Sequence, residues 1–266
     1  MARKKRWVEG DYDDGIQSYT LSSWKYFSDF INQEMIDYTT YVYRGHANAE
    51  WLLEPTLDRL VKHPSSSKRS SHLEKFKYET RGRRGAHPTE LKDDDDWWAL
   101  GQHHGLATPL LDWTESPFVA LYFAVSNALK ESSKEIVVFA ISQISIRRKN
   151  TYVNKTDTVK LINERKPTVK IVRPLSDENS RLVSQRGLFT RAPNNMDLES
   201  WVKKFRTDDG EGKVELMKIR IPLVAQNDVH QCLRYLNRMN INHSTLFPDL
   251  AGASEYCNTH LKVTSY

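Results

Sequence analysis

Cysteine is almost missing from this chain. Cys232 and Cys257 are the whole complement, too few for a disulfide framework and too far from paired histidines for a structural zinc site. A reducing, cytoplasmic setting is the expectation, with no metal. No apolar run reaches the roughly 18 residues that a membrane span needs, so no membrane partner is expected. The basic start, Met-Ala-Arg-Lys-Lys-Arg-Trp, leads into no apolar stretch of the kind a secretory signal carries. Several motifs are missing as well: there is no G-x-S-x-G elbow, no Walker loop, no G-x-G-x-x-G and no H-E-x-x-H. These absences argue against nucleophile-elbow hydrolases, P-loop NTPases, Rossmann dehydrogenases and zincins.

What the chain does have is an ordinary globular composition, 39% hydrophobic and 27% charged over 266 residues, enough to bury a real core. The net charge of +5 is gathered at residues 3–6, 68–69, 81–84 and 147–149, against an acidic block at 93–96. Such an excess suits a nucleotide ligand or a polyanionic partner, and equally suits a solvated basic surface.

Apolar spacing predicts a helix over 24–38, with Trp24, Phe27, Ile31 and Met35 on one face. A short strand at 41–43 ends in Arg44–Gly45. Residues 51–53 read as extended, 55–60 as a helical turn, and 71–83 as a charged helix. The acidic run at 93 should cap a helix that delivers Gln102, His103 and His104 and stops at Gly105. Asp112–Trp113–Thr114 reads as a turn, followed by an apolar helix over 117–129. Residues 135–141 have the apolar density of a strand buried on both faces. The segment 142–170 is polar and reads as a peripheral excursion. A strand starts at 171–174, and 182–190 reads as strand, turn and strand with Gly187 at the turn. A helix at 198–205, a strand at 214–221 and helices at 227–239 and 248–263 complete the chain. The mixture lacks a regular alternation, so the expected fold is a single α+β domain with mixed or antiparallel central strands and flanking helices.

The polar residues of 102–117 stand out because an apolar helix behind them would hold them rigidly. Each has a bland and a functional reading. Arg44, at a strand exit beside Gly45, suits bidentate phosphate binding, or braces the fold against a carboxylate such as Asp112. His103 and His104 can act in general acid–base work, or satisfy core hydrogen bonds. Adjacent histidines point about 100° apart on a helix, which weakens metal ligation. Thr114 and Ser116 either cap the following helix or present hydroxyls to an anionic ligand at its start.

Tyr43–Arg44–Gly45, joined to Gln102-His-His-Gly-Leu-Ala-Thr-Pro-Leu-Leu-Asp-Trp-Thr114 and Ser116-Pro-Phe-Val-Ala-Leu-Tyr-Phe-Ala124, resembles the FRG domain. The similarity continues in Gln185-Arg-Gly-Leu-Phe189, in Lys218-Ile-Arg-Ile-Pro222 and in Thr245-Leu-Phe-Pro-Asp249. It implies a domain over 16–266 behind a basic and acidic tail at 1–15. His46 stands where the family usually has Gln, and Pro109 where it usually has Arg. The layout is more loosely similar to ADP-ribosyltransferases of the Arg–Ser–Glu type. That likeness implies an ADP-ribosyltransferase-like fold with NAD as substrate, Arg44 on its phosphates, and Tyr43, Gly45, Thr114 and Ser116 around the ligand. His103, His104, Asp112 and Gln185 would act at the ribose. Gln185 stands at the third motif where the pattern has Glu, so Asp112, Glu178 or a neutral histidine would replace that Glu in stabilising an oxocarbenium-like ribose. The implied reaction is ADP-ribose transfer to a protein or nucleic acid, or NAD hydrolysis, as in a toxin or anti-phage effector. A non-catalytic nucleotide or nucleic-acid binding module, and a nuclease using His103, His104 and Asp112, are the competing expectations.

Overall fold

The computed structural model describes residues 5–174, 180–205, 213–225 and 227–266. Eight strands form one open sheet: β1 (Trp7–Asp13), β2 (Ile16–Leu21), β3 (Tyr41–His46), β4 (Leu110–Thr114), β5 (Glu135–Ser142), β6 (Lys170–Val172), β7 (Gly187–Arg191) and β8 (Leu216–Pro222). Their spatial order is β1-β2-β8-β5-β3-β4-β7-β6. β2 and β8 run parallel, and the other neighbours are antiparallel. The fold is thus a mixed α+β sheet with helices, as composition and pattern suggested.

The helices are α1 (Phe27–Phe30), α2 (Thr56–Leu60), α3 (Lys68–Glu79), α4 (Asp94–His103), α5 (Pro117–Glu131), α6 (Gln143–Lys155), α7 (Ser180–Gln185), α8 (Leu198–Lys204), α9 (Asp228–Arg238), α10 (His243–Leu246) and α11 (Leu250–Lys262). β5 is the spine: seven of its eight residues are buried. Alternate residues split between two cores, because side chains of a strand alternate in direction. Ile136, Val138 and Ala140 join α1, α5, α9 and α11 on one face. Val137, Phe139 and Ile141 join α6 and α8 on the other. A smaller cluster, built on Leu57, Leu73, Trp98 and Leu110, seats α2, α3 and α4 beside the sheet.

Several local expectations need correction. The residues read as an N-terminal tail include β1, an exposed edge strand whose pairing with β2 shifts register between Glu9 and Tyr12. Residues 51–53 form no strand. The helix of 24–38 is a composite: a 3-10 turn at Trp24–Tyr26, then α1, then a π segment at Ile31–Met35. Asp112–Trp113–Thr114 is strand rather than turn, with Leu111 and Trp113 buried on one side and Asp112 exposed. Residues 182–185 belong to α7, not to a strand. The turn into β7 falls on Arg186, at φ +49°. Gly187 is needed for space instead, since a Cβ there would lie 2.8 Å from Leu182 Cδ2.

The presumed excursion at 142–170 opens with α6, which sinks Ile146 and Val153 into the core. Two of the basic clusters are also partly internal. Arg69 is buried on Asp58, 2.7 Å away. Lys149, 1% exposed, places its Nζ 2.6 Å from Glu215 Oε2 and donates to the carbonyls of Val202 and Phe205. Those carbonyls close the C-terminal end of α8, where a cation is favoured. Among the described residues, no helix is long and apolar enough to cross a membrane.

Candidate functional site

The site begins where the sheet comes apart. β3 and β4 share one rung, Tyr43 opposite Thr114. Beyond it the strands diverge, and Asp112's carbonyl oxygen, instead of meeting a β3 amide, accepts from Arg44 Nη1 at 2.8 Å. A cavity of about 280 Å³ opens at this split. Its wall carries Tyr43, Arg44, Gly45, His103, Asp112, Thr114 and Gln185, so seven of the nine residues singled out by sequence meet there. His104 and Ser116 do not line it. His104 is exposed past the end of α4. Ser116 is the N-cap of α5, its hydroxyl accepting from Val119 N at 3.4 Å. Glu178 lies outside the described residues.

Arg44 is held from three sides. Its Nε donates to His46 Nε2 at 2.9 Å, and His46 Nδ1 lies 3.3 Å from Trp51 O. This pairing requires a neutral imidazole with its proton on Nδ1. Burial, then the Arg44 charge, push the His46 pKa down to about 3, which keeps it in that state. Asp112 Oδ2 sits 3.4 Å from Arg44 Nη1 and accepts from Gln102 Nε2 at 2.8 Å. Gln102 Oε1 in turn accepts from Thr108 Oγ1. Burial lowers the Arg44 pKa and Asp112 opposes the shift, but a guanidinium remains charged at any physiological pH. Among the described residues Arg44 Nη2 and Asp112 Oδ1 have no hydrogen-bond partner.

The other groups divide into spent and unspent. Thr114 is spent: its hydroxyl donates to Gln185 O at 2.6 Å and accepts from Ser116 N at 3.0 Å, tying β4 to α7. Gln185 donates from Nε2 to Leu246 O at 3.0 Å, joining α7 to α10. Gly45 serves packing: a Cβ there would stand 1.9 Å from Ala120 O of α5, so the close neighbour is a helix backbone. His103 is unspent. Its Nε2 is buried with no hydrogen-bond partner, and its ring meets Phe189 edge-on at 5.8 Å. Burial pushes its pKa down to about 4, with Asp112 opposing the shift.

Sequence reasoning missed four contributors. His46 was noted as a family departure, but its grip on Arg44 Nε was not foreseen. Asn127 breaks an apolar helix, which was a readable signal, and it lines the cavity. Phe247 and Arg181 close the far side. Arg181 lies over the Phe247 ring at 5.2 Å, and its Nε donates to Asp249 at 2.8 Å. Nothing local marked that arginine.

Two desolvated neutral histidines, His46 and His103, imply an acid-sensitive fold. Unfolded, each binds a proton near pH 6.5; folded, they do so only near pH 3 and pH 4. Between those limits the unfolded chain holds more protons, so stability is complete above about pH 6.5 and declines as pH falls. The decline is up to about 1.4 kcal/mol per pH unit for each histidine. Urea unfolding between about pH 7 and pH 5 should show it, and His103→Asn should remove roughly one proton from the slope. A slope identical in wild type and variant would refute the assignment.

The FRG domain model matches residues 39–133. That stretch runs from just before β3 to just after α5 and carries Arg44, His103, Asp112 and Thr114, which supports the FRG family for this part of the chain. Gln185, Arg181 and Phe247 lie beyond it. No curated protein and no solved structure matches the chain.

Proposed function

We propose that this chain binds NAD or a closely related nucleotide in the cavity at the β3–β4 split and breaks its nicotinamide–ribose bond, with water or a macromolecule as acceptor. The observation that carries the reading is Arg44. Two of its three nitrogens are spent on His46 and Asp112, and Nη2 remains for a ligand anion. Preorganised charge of this kind costs no rearrangement when the ligand arrives. The aromatic residues Tyr43, Phe123 and Phe247 also line the cavity, and they suit a flat ring.

In the proposed step the C1′–N1 bond breaks and its electron pair neutralises the nicotinamide ring. Positive charge grows on the ribose, where a carboxylate stabilises it. Among the described residues Asp112 is the carboxylate that lines the cavity, and in this scheme it supplies the charge that Gln185 lacks. The oxygen of the water or acceptor hydroxyl then bonds to C1′ and its proton passes to solvent, because His103, with its pKa near 4, is too weak a base to keep it. The part of His103 is to accept a hydrogen bond at Nε2 and so orient the attacking water or hydroxyl. Thr114 and Ser116 have structural roles in this scheme, and His104 has none. The likeness to ADP-ribosyltransferases that motivates this scheme is one of motif order: a strand ending in Tyr43–Arg44–Gly45, then Thr114 and Ser116 ahead of an apolar helix. Depletion of NAD by such a step would suit a toxin or anti-phage effector.

The test is nicotinamide release from NAD by the full chain. Arg44→Ala should cut turnover by roughly 100-fold or more. Asp112→Asn keeps an acceptor for Gln102 while removing the charge, so kcat should fall with KM little changed. No release by wild type in the presence of cell lysate, or an Arg44→Ala protein as active as wild type, would sink the proposal.

A further inference from the structure

The cavity is not the end of the cleft. A second cavity of about 200 Å³ adjoins it and shares Arg44, Gly45, Gln102, Asp112 and Asn127 with the first. Arg44 therefore stands at a waist between two lobes. Ligand pockets run from roughly 300 to 1,000 Å³, so the first lobe alone sits at the small end of that range.

The outer lobe has a chemistry of its own. Trp51 and Arg59 line it, together with Glu54. Trp51 is 43% exposed, more than core packing would leave an indole. Its backbone carbonyl is bound by His46, whose other nitrogen orients Arg44, so the loop bearing the indole is fastened to the waist. Arg59 is exposed and donates to Thr56 Oγ1 at 3.0 Å. Among the described residues it has no carboxylate within ion-pair distance. It lies close enough to Arg44 and His46 to disfavour a proton on either, which is the field of two cations facing one space. Glu54, paired with Lys62 at 3.5 Å, offers carboxylate oxygens of the kind that accept from ribose hydroxyls.

We propose that the ligand is a two-headed dinucleotide: Trp51 stacks the base of its second half, and Arg59 together with Arg44 flanks the diphosphate. This rests on the nucleotide reading above and narrows it. A mononucleotide would fill the inner lobe and leave Trp51 and Arg59 idle.

Equilibrium binding of the full chain to NAD, ADP-ribose and nicotinamide mononucleotide separates the possibilities. Trp51→Ala and Arg59→Gln should each weaken NAD and ADP-ribose by roughly 10-fold, the usual scale of a base-stacking contact. Both should leave the mononucleotide within about twofold, and Trp51→Tyr should restore most of the dinucleotide affinity. Both side chains are exposed, so the variants should melt with wild type. NAD binding that depends on Arg44 but ignores Trp51 and Arg59 would overturn the second lobe while the nucleotide reading stands. Equal losses for dinucleotide and mononucleotide would also overturn it. Wild-type protein that binds none of the three ligands would remove both.

Discussion

Gly45→Ala should destabilise the fold by about 3 kcal/mol or more, the upper range for forcing an extra methyl into a filled space. The added Cβ would lie 1.9 Å from Ala120 O, and 2.9 Å from both Ala120 C and Ala124 N. All three are backbone atoms of α5, so no side chain can rotate aside. Relief requires β3 and α5 to separate, and α5 also brings Phe123 and Asn127 to the cavity. The damage should therefore reach ligand affinity as well as stability. Gly105→Ala is the fitting comparison. It sits at φ +81° with open space around it, so it should cost only the roughly 1–2 kcal/mol of a left-handed alanine. Urea denaturation of both variants decides the matter. A Gly45→Ala midpoint equal to that of Gly105→Ala would refute the packing argument.

Lys149→Met should cost about 3–5 kcal/mol, the range found when one partner of a buried ion pair is removed. The methionine fills the volume but leaves the Glu215 carboxylate without its closest cation, and it strands the carbonyls of Val202 and Phe205. Arg148, at 3.3 Å from Glu215 Oε1, compensates only in part because its side chain is 24% exposed and already partly solvated. Replacing both residues, as Lys149→Met with Glu215→Met, should recover some of the loss by removing the orphaned charge. A double variant that is less stable than Lys149→Met alone would contradict this account. Neither Lys149 nor Glu215 lines either lobe of the Arg44 cleft, so the surviving folded protein should retain its ligand affinity.

The convergence of Arg44 with His103, Asp112 and Gln185 was legible in the sequence because each lay in a motif beside an apolar element. β5 announced itself by an unbroken apolar run, and Asp93 by its position, since its carboxylate caps α4 through the amides of Asp95 and Asp96. Other features were hidden for physical reasons. Residues 112–114 read as a turn because Asp112 and Thr114 are polar, yet both occupy strand positions beside the split. β1 has acidic residues at alternate positions and little apolar signal, since an edge strand need bury almost nothing. α6 looked peripheral because its face toward the core includes a lysine, which only a distant glutamate makes tolerable. The Thr114 hydroxyl reads as a helix cap or a ligand contact, and its use by Gln185 O depends on a contact 71 residues away. Arg181 and Phe247 enter the cavity by tertiary packing alone. No spacing rule reaches them.

The register shift in β1 has a consequence for the protein's behaviour at high concentration. An open sheet ends in rows of unpaired amides and carbonyls that can recruit another chain. Here one margin is bulged and carries Glu9 and Asp11, so a second copy docking side by side would set like charges against each other. The opposite margin, β6, is only three residues long. Both borders thus resist growth by strand addition, and the sheet is protected from seeding fibrils through its rims.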